Sequence, residues 1–172
     1  ALEESIAKME GGHEAVVVPS GLAAITAALC AFVKTGSHLL VADSVYGPTR
    51  NFCEKRLKDF GVAIEYYDPL IGSGIKNLIK TNTCAVFCEA PGSLSFEMQD
   101  IPAIAREAHA HNIPVLADTT WGTPYFFRSF EHGVDVSIHA ATKYIVGHSD
   151  VMMGMIVTNE KYWLPVRRAV AD

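Results

Sequence analysis

Residues 118–150 read DTTWGTPYFFRSFEHGVDVSIHAATKYIVGHSD. Asp118 closes an apolar run, Ile113-Pro114-Val115-Leu116-Ala117, and Lys143 follows a second run, Val134 to Ile138. The first run has the length and unbroken apolar character of a strand buried on both faces, and the second is a shorter version of it. In open α/β sheets the groups that do chemistry gather in the crevice beyond the carboxyl ends of the strands. Asp118 and Lys143 both fall just past such ends.

An aspartate and a lysine placed this way are the two protein groups that a pyridoxal-phosphate cofactor needs: an amine for its aldehyde and a carboxylate for its ring nitrogen. The spacing alone favours plainer readings. A salt bridge, a helix N-cap or a solvated strand end would use the same residues, because charged groups normally stay at the surface.

The chain upstream alternates strands with helices. Residues 2–10 carry Leu2, Ile6 and Met9 at helical spacing and stop at Gly11-Gly12. Ala15 to Val18 reads as a strand, Pro19-Ser20-Gly21 as a turn, and Leu22 to Val33 as an apolar helix. Free amides at the start of that helix suit a phosphate, while Ser20 is equally well placed simply to cap it. His38 to Ala42 is the next strand, and Tyr46 stands in the loop after it. Tyr46 is either a half-packed loop aromatic or a ring able to stack on a ligand and move protons.

A helix is expected over 49–60 with Gly61 as its C-cap, then a strand over 62–66, a Gly/Pro loop, a short helix over 75–80, and a strand over 85–88. Asp100 caps a helix over 101–111, and 113–117 is the strand that ends before Asp118. Beyond Asp150 a strand is expected over 151–158, then Tyr162 and Trp163 as packing, then a helix over 166–172. This alternation predicts an α/β fold: a mostly parallel sheet with helices on both faces and right-handed crossovers.

Composition narrows the function classes. The chain has 172 residues, 49% of them apolar, which suits one globular domain with one core. A net charge of -5 gives no electrostatic reason to expect nucleic acid. No apolar run is long enough to span a bilayer and no secretory leader pattern opens the chain, so no membrane partner is expected. The four cysteines lack metal or redox spacing. Cys84 and Cys88 share a strand face and should be buried, which suits a reducing cytoplasm. His109 and His111 cannot share a helix face, and His148 with Asp150 lacks a third ligand, so no metal site is expected.

Several motifs carry a resemblance. They are Leu2-Glu3 with Glu10-Gly11-Gly12, Ser20-Gly21-Leu22-Ala23-Ala24-Ile25, Asp43 with Tyr46-Gly47-Pro48-Thr49, Glu89-Ala90-Pro91-Gly92-Ser93, Asp118-Thr119-Thr120-Trp121, and Ala141-Thr142-Lys143-Tyr144-Ile145-Val146-Gly147-His148-Ser149-Asp150. In this order, and over nearly the whole chain, they resemble the Cys/Met-metabolism family of pyridoxal-phosphate enzymes. The Pro-Gly-Ser form at 91–93, and alanine at 140 where many relatives have serine, are similar to its bacterial cystathionine β-lyase branch.

The resemblance implies the large domain of a fold-type I pyridoxal 5'-phosphate enzyme over 1–172. Lys143 would hold the cofactor covalently and act as the base. Asp118 would meet the ring nitrogen. The backbone of Gly21 and Leu22, with the Thr142 hydroxyl, would meet the phosphate. Tyr46 would stack on the ring and share in proton transfer. Ser93 would face the ring's phenolic oxygen. Trp121 could wall the pocket or belong to the core.

The implied reaction is carbon–sulfur β-elimination of L-cystathionine to homocysteine, pyruvate and ammonia, a step of methionine biosynthesis. A γ-lyase or γ-synthase is the alternative within the same chemistry, and a non-catalytic fragment is the alternative outside it. Relatives of this kind are about twice as long and assemble as a dimer of dimers. The chain is therefore expected to be part of the cofactor domain, lacking an N-terminal arm and a C-terminal domain. The arginine that binds the substrate carboxylate, and a Tyr and an Arg lent by a neighbouring subunit, have no match here.

Overall fold

Seven short apolar runs line up side by side in a computed structural model that describes residues 1–171. They are β1 Glu14–Val18, β2 His38–Ala42, β3 Ala63–Tyr67, β4 Thr83–Glu89, β5 Val115–Asp118, β6 Val136–His139 and β7 Gly154–Thr158, in spatial order β1-β7-β6-β5-β4-β2-β3. The strands β3, β2, β4, β5 and β6 are parallel, and β7 runs antiparallel to both β6 and β1. Two reversals cancel, so β1 points the same way as the parallel set. The carboxyl ends of β1, β2, β4, β5 and β6 therefore share one edge of the sheet, and the start of β7 joins them there.

The helices are α1 Leu2–Glu10, α2 Gly21–Cys30, α3 Gly47–Phe52, α4 Ile101–Ala110, the short α5 Thr123–Phe126 and α6 Glu160–Ala171. Strand alternation divides the outer strands between two faces. Val16, Val18 and Ile156 belong to the main core, which α2 joins through Ala24, Ile25, Ala28 and Leu29. Ala15, Met155 and Val157 belong to a second cluster with Ile6 and Ala7 of α1. Strand β2 is buried along its whole length and β4 from Ala85 onward, as a sheet covered on both sides requires.

Several boundaries differ from the sequence reading, each for a local reason. The expected helix 49–60 starts at Gly47 and runs to 59 through one π-type turn, Cys53–Leu57. The expected helix 75–80 is a 3-10 turn, Gly72–Leu78. Strand β5 starts two residues late, because the amide of Ile113 bonds the Ala108 carbonyl and closes α4. Asp118 is the last residue of β5 rather than the first beyond it.

Tyr162 and Trp163 lie inside α6 instead of before it. Pro165 argues against a helix there, but Asn159 caps it by accepting from the Tyr162 amide. Asp172, the end of the expected 166–172 helix, lies outside the described residues. Cys88 is buried as expected and Cys84 is only half-buried.

Candidate active site

At the shared carboxyl edge the strand ends leave a cleft of about 370 Å³. Gly21, Leu22, Tyr46, Asp118, Thr142 and Lys143 all line it, although they come from four separate strand ends.

Asp118 is oriented by its own loop. Its Oδ1 accepts from the Thr120 amide at 3.0 Å and from the Thr120 hydroxyl at 2.6 Å. Thr120 Oγ1 in turn accepts from the Ala140 amide at 2.8 Å. One threonine thus ties the end of β5 to the end of β6. No described residue donates to the second oxygen, Oδ2, and Asp118 makes no salt bridge with Lys143. The plainer salt-bridge reading is therefore not what the fold builds, though Asp118 does cap its own turn.

Lys143 sits in a tight turn after β6. Its amide donates to the Ala140 carbonyl, and its carbonyl accepts from Gly147. The side chain is exposed to the cleft and has no ion-pair partner among the described residues. Thr142 stitches this turn to the segment before β7. Its hydroxyl donates to the Met153 carbonyl at 3.0 Å and accepts from the Met153 amide at 2.8 Å. A hydroxyl has one proton. With that proton on Met153, Thr142 has none for a phosphate, so here it serves the loop that carries Lys143.

The amino end of α2 lies across the same cleft. Ser20 caps it by accepting from the Ala23 amide at 3.1 Å, so the capping reading of Ser20 holds. No described residue accepts from the amides of Gly21 and Leu22, which are the first two of the helix. Gly21 is required by contact. A Cβ there would lie 2.6 Å from the Cβ of Ala140 and 2.8 Å from its Cα. At Gly154 a Cβ would lie 2.0 Å from the Ser20 carbonyl oxygen. Two glycines and one alanine let the helix start touch the ends of β6 and β7.

Tyr46 is 45% exposed at the cleft mouth, and its amide donates to Glu89 Oε2 at 2.8 Å. Trp121 is 54% exposed and meets Phe96 edge-to-face at 5.6 Å, so it is a wall and not part of the core. His148 and Asp150 pair with each other on the surface.

Three features escaped the sequence reading. Thr120 had no role of its own in the sequence, yet it orients Asp118. Glu89 was only part of a motif, yet it is buried beside Asp118. Burial, and then the Asp118 charge, push its carboxyl up to about 7, against the opposing pull of Ser93, the Tyr46 amide and Lys143. A glutamate closing an apolar strand was the available signal. The third is a buried network behind the cleft. Glu10 of α1 pairs with His139, and Ser129, Ser137 and Thr119 join them by hydrogen bonds. Thr119 follows Asp118 directly, and His139 precedes the lysine turn.

The donor set suits pyridoxal phosphate. An unclaimed carboxylate oxygen, an unpaired lysine amine and two unclaimed helix-start amides share one cleft of ligand size.

Comparison with known proteins agrees. The sequence model described as "Cys/Met metabolism PLP-dependent enzyme" matches residues 1–170. A protein of Rhizobium johnstonii is 53% identical over 169 residues, covering 98% of this chain and 43% of the relative. A cystathionine beta-lyase of Haemophilus influenzae is 44% identical over 169 residues, covering 97% of this chain and 43% of the relative. The crystal structure of metB from Corynebacterium glutamicum superposes with a TM-score of 0.93 at 28% identity, covering 99% of this chain and 45% of that one. The chain thus spans less than half the length of each. It belongs to the Cys/Met-metabolism family of pyridoxal-phosphate-dependent enzymes.

Proposed function

With that family membership as premise, we propose that the chain is the cofactor-holding part of a carbon–sulfur β-lyase that cleaves L-cystathionine to homocysteine, pyruvate and ammonia. The observation that carries this reading is the convergence of Asp118 Oδ2, the Lys143 amine and the Gly21 and Leu22 amides on one cleft. When bound, pyridoxal phosphate supplies an electron sink for the substrate's Cα carbanion.

The chain's own groups do the rest. Lys143 would anchor the cofactor through Nζ, and that amine, when free, would take the Cα proton. Asp118 Oδ2 would hold the ring nitrogen protonated, with Oδ1 already engaged by Thr120. The Gly21 and Leu22 amides hold the phosphate with the α2 dipole behind them. Tyr46 covers the ring and can pass a proton to the leaving sulfur. Thr142 fixes the lysine turn through Met153.

Residues 1–172 form one partial large domain in this reading, and the whole protein is a cytoplasmic homotetramer. Its exposed apolar rim supports association. Met9, Trp121, Tyr125, Phe126 and Tyr144 border a second groove of about 530 Å³. No described helix is long and apolar enough to cross a membrane.

Product analysis tests the reaction. Incubated with pyridoxal phosphate and L-cystathionine, the chain is expected to release pyruvate slowly. Its turnover should fall well below that of a relative of full length. Release of 2-oxobutyrate in place of pyruvate would move the assignment to a γ-lyase.

A further inference from the structure

Glu89 closes β4 directly opposite Asp118 of β5, and its side chain is buried. Both of its oxygens are engaged. The Tyr46 amide donates to Oε2 at 2.8 Å, and the Ser93 hydroxyl donates to Oε1 at 2.5 Å. Ser93 also lines the cleft. Its hydroxyl has a single proton. While that proton points at Glu89, Ser93 offers the cleft lone pairs only.

A backbone amide is always a donor, so Oε2 must remain an acceptor. A proton added to Glu89 therefore belongs on Oε1, facing Ser93. It would be donated to Ser93 Oγ, and the hydrogen of Ser93 would then be free to turn into the cleft. One proton on Glu89 thus reverses the polarity that Ser93 presents.

The surroundings keep both states within reach near neutral pH. Asp118 from β5 opposes a charge on Glu89. Lys143 from the turn after β6, the Tyr46 amide from the loop after β2, and Ser93 itself favour it. Burial outweighs them and brings the carboxyl to about 7.

We infer that Glu89 is protonated when the cofactor is in place, and that this makes Ser93 a hydrogen-bond donor into the cleft, toward the anionic cofactor. The inference rests on the cofactor reading above. Glu89 is a positioning residue in it, acting through Ser93. It also accounts for serine at 93, a short side chain whose donor must be aimed from behind.

The test compares the wild-type chain with Glu89→Gln, Ser93→Ala and the double variant. Glutamine would accept from the Tyr46 amide and donate to Ser93, which fixes the donor state at every pH. Pyridoxal-phosphate affinity is read from the absorption band of the Lys143-linked cofactor. Between about pH 6 and pH 8.5 the wild type should lose roughly tenfold more affinity than Glu89→Gln, the worth of one hydrogen bond to a charged group. In the Ser93→Ala background that difference should vanish, so that the single variant Ser93→Ala and the double variant share one pH dependence.

Infrared titration of the cofactor-free chain is a second readout. It should show a protonated carboxyl that is absent from Glu89→Gln and disappears around neutral pH. Equal pH dependence in the wild type and Glu89→Gln would overturn the inference, as would a Glu89 carboxyl already ionised at about pH 5. In both cases the cofactor band itself would survive, leaving the parent reading intact. A chain that never forms the band would remove both.

Discussion

Asp118 carries most of the argument because its two oxygens do different things. Thr120 takes Oδ1 by amide and hydroxyl, which leaves Oδ2 for the cleft. Glu89, one strand away, has a carboxyl raised from 4.5 to about 7, chiefly by burial. The sign for stability follows from proton linkage. Between those two values the unfolded chain is ionised at this residue while the folded chain keeps its proton. Stability from Glu89 is therefore complete below the unfolded value and is lost as pH rises through the folded one. Glu89→Gln removes that loss. In the cofactor-free chain it should be more stable than wild type by about 3 kcal/mol at pH 8, an advantage that disappears below about pH 4.5. Urea melts at the two pH values would show this, and a pH-independent difference would contradict it. Asp118 and Lys143 were legible in the sequence because Asp118 closes one apolar run and Lys143 follows another within a few residues. Thr120 and Glu89 were not, since their importance lies in which oxygen they face. Thr142 was expected at the phosphate, and in this structure its hydroxyl proton goes to the Met153 carbonyl.

Among the elements, the start of α2 against the ends of β6 and β7 is the contact with least room. Ala140 lies against Gly21, and Ser20 against Gly154. Gly21→Ala would drive a Cβ to 2.6 Å from the Ala140 Cβ, where backbone as well as side chain must move. The expected cost is about 1–3 kcal/mol of stability, as for other overpacked sites, with loss of cofactor retention because the two free amides shift. Thermal melts and cofactor retention after dialysis would measure both. Unchanged retention would mean that these amides do not hold the phosphate. The sheet itself was readable from unbroken apolar runs such as 38–42 and 113–117. The antiparallel direction of β7 was not, because a buried strand has the same pattern either way round. The last helix was expected from 166 but starts at Glu160, because Asn159 caps it and Pro165 falls within its first turns.

The molecule as a whole collects its site by direction. Strands β2 to β6 end on one edge, and β1 ends there too because β7 is antiparallel to both β6 and β1. The buried Glu10–His139 network then ties α1 to the residues beside Asp118 and Lys143. The apolar groove around Met9, Trp121, Tyr125 and Phe126 leaves a surface that favours burial against another chain. Sedimentation at micromolar concentration should therefore find dimers or larger species, and a monomer at every concentration would contradict a role for that groove in assembly. The central claim is that Lys143 and Asp118 hold pyridoxal phosphate between them, and an absorption spectrum of the purified chain after adding the cofactor tests it most directly. A yellow band that survives dialysis in the wild type and is absent from Lys143→Ala is the predicted result. The same band in both proteins would contradict the assignment of Lys143.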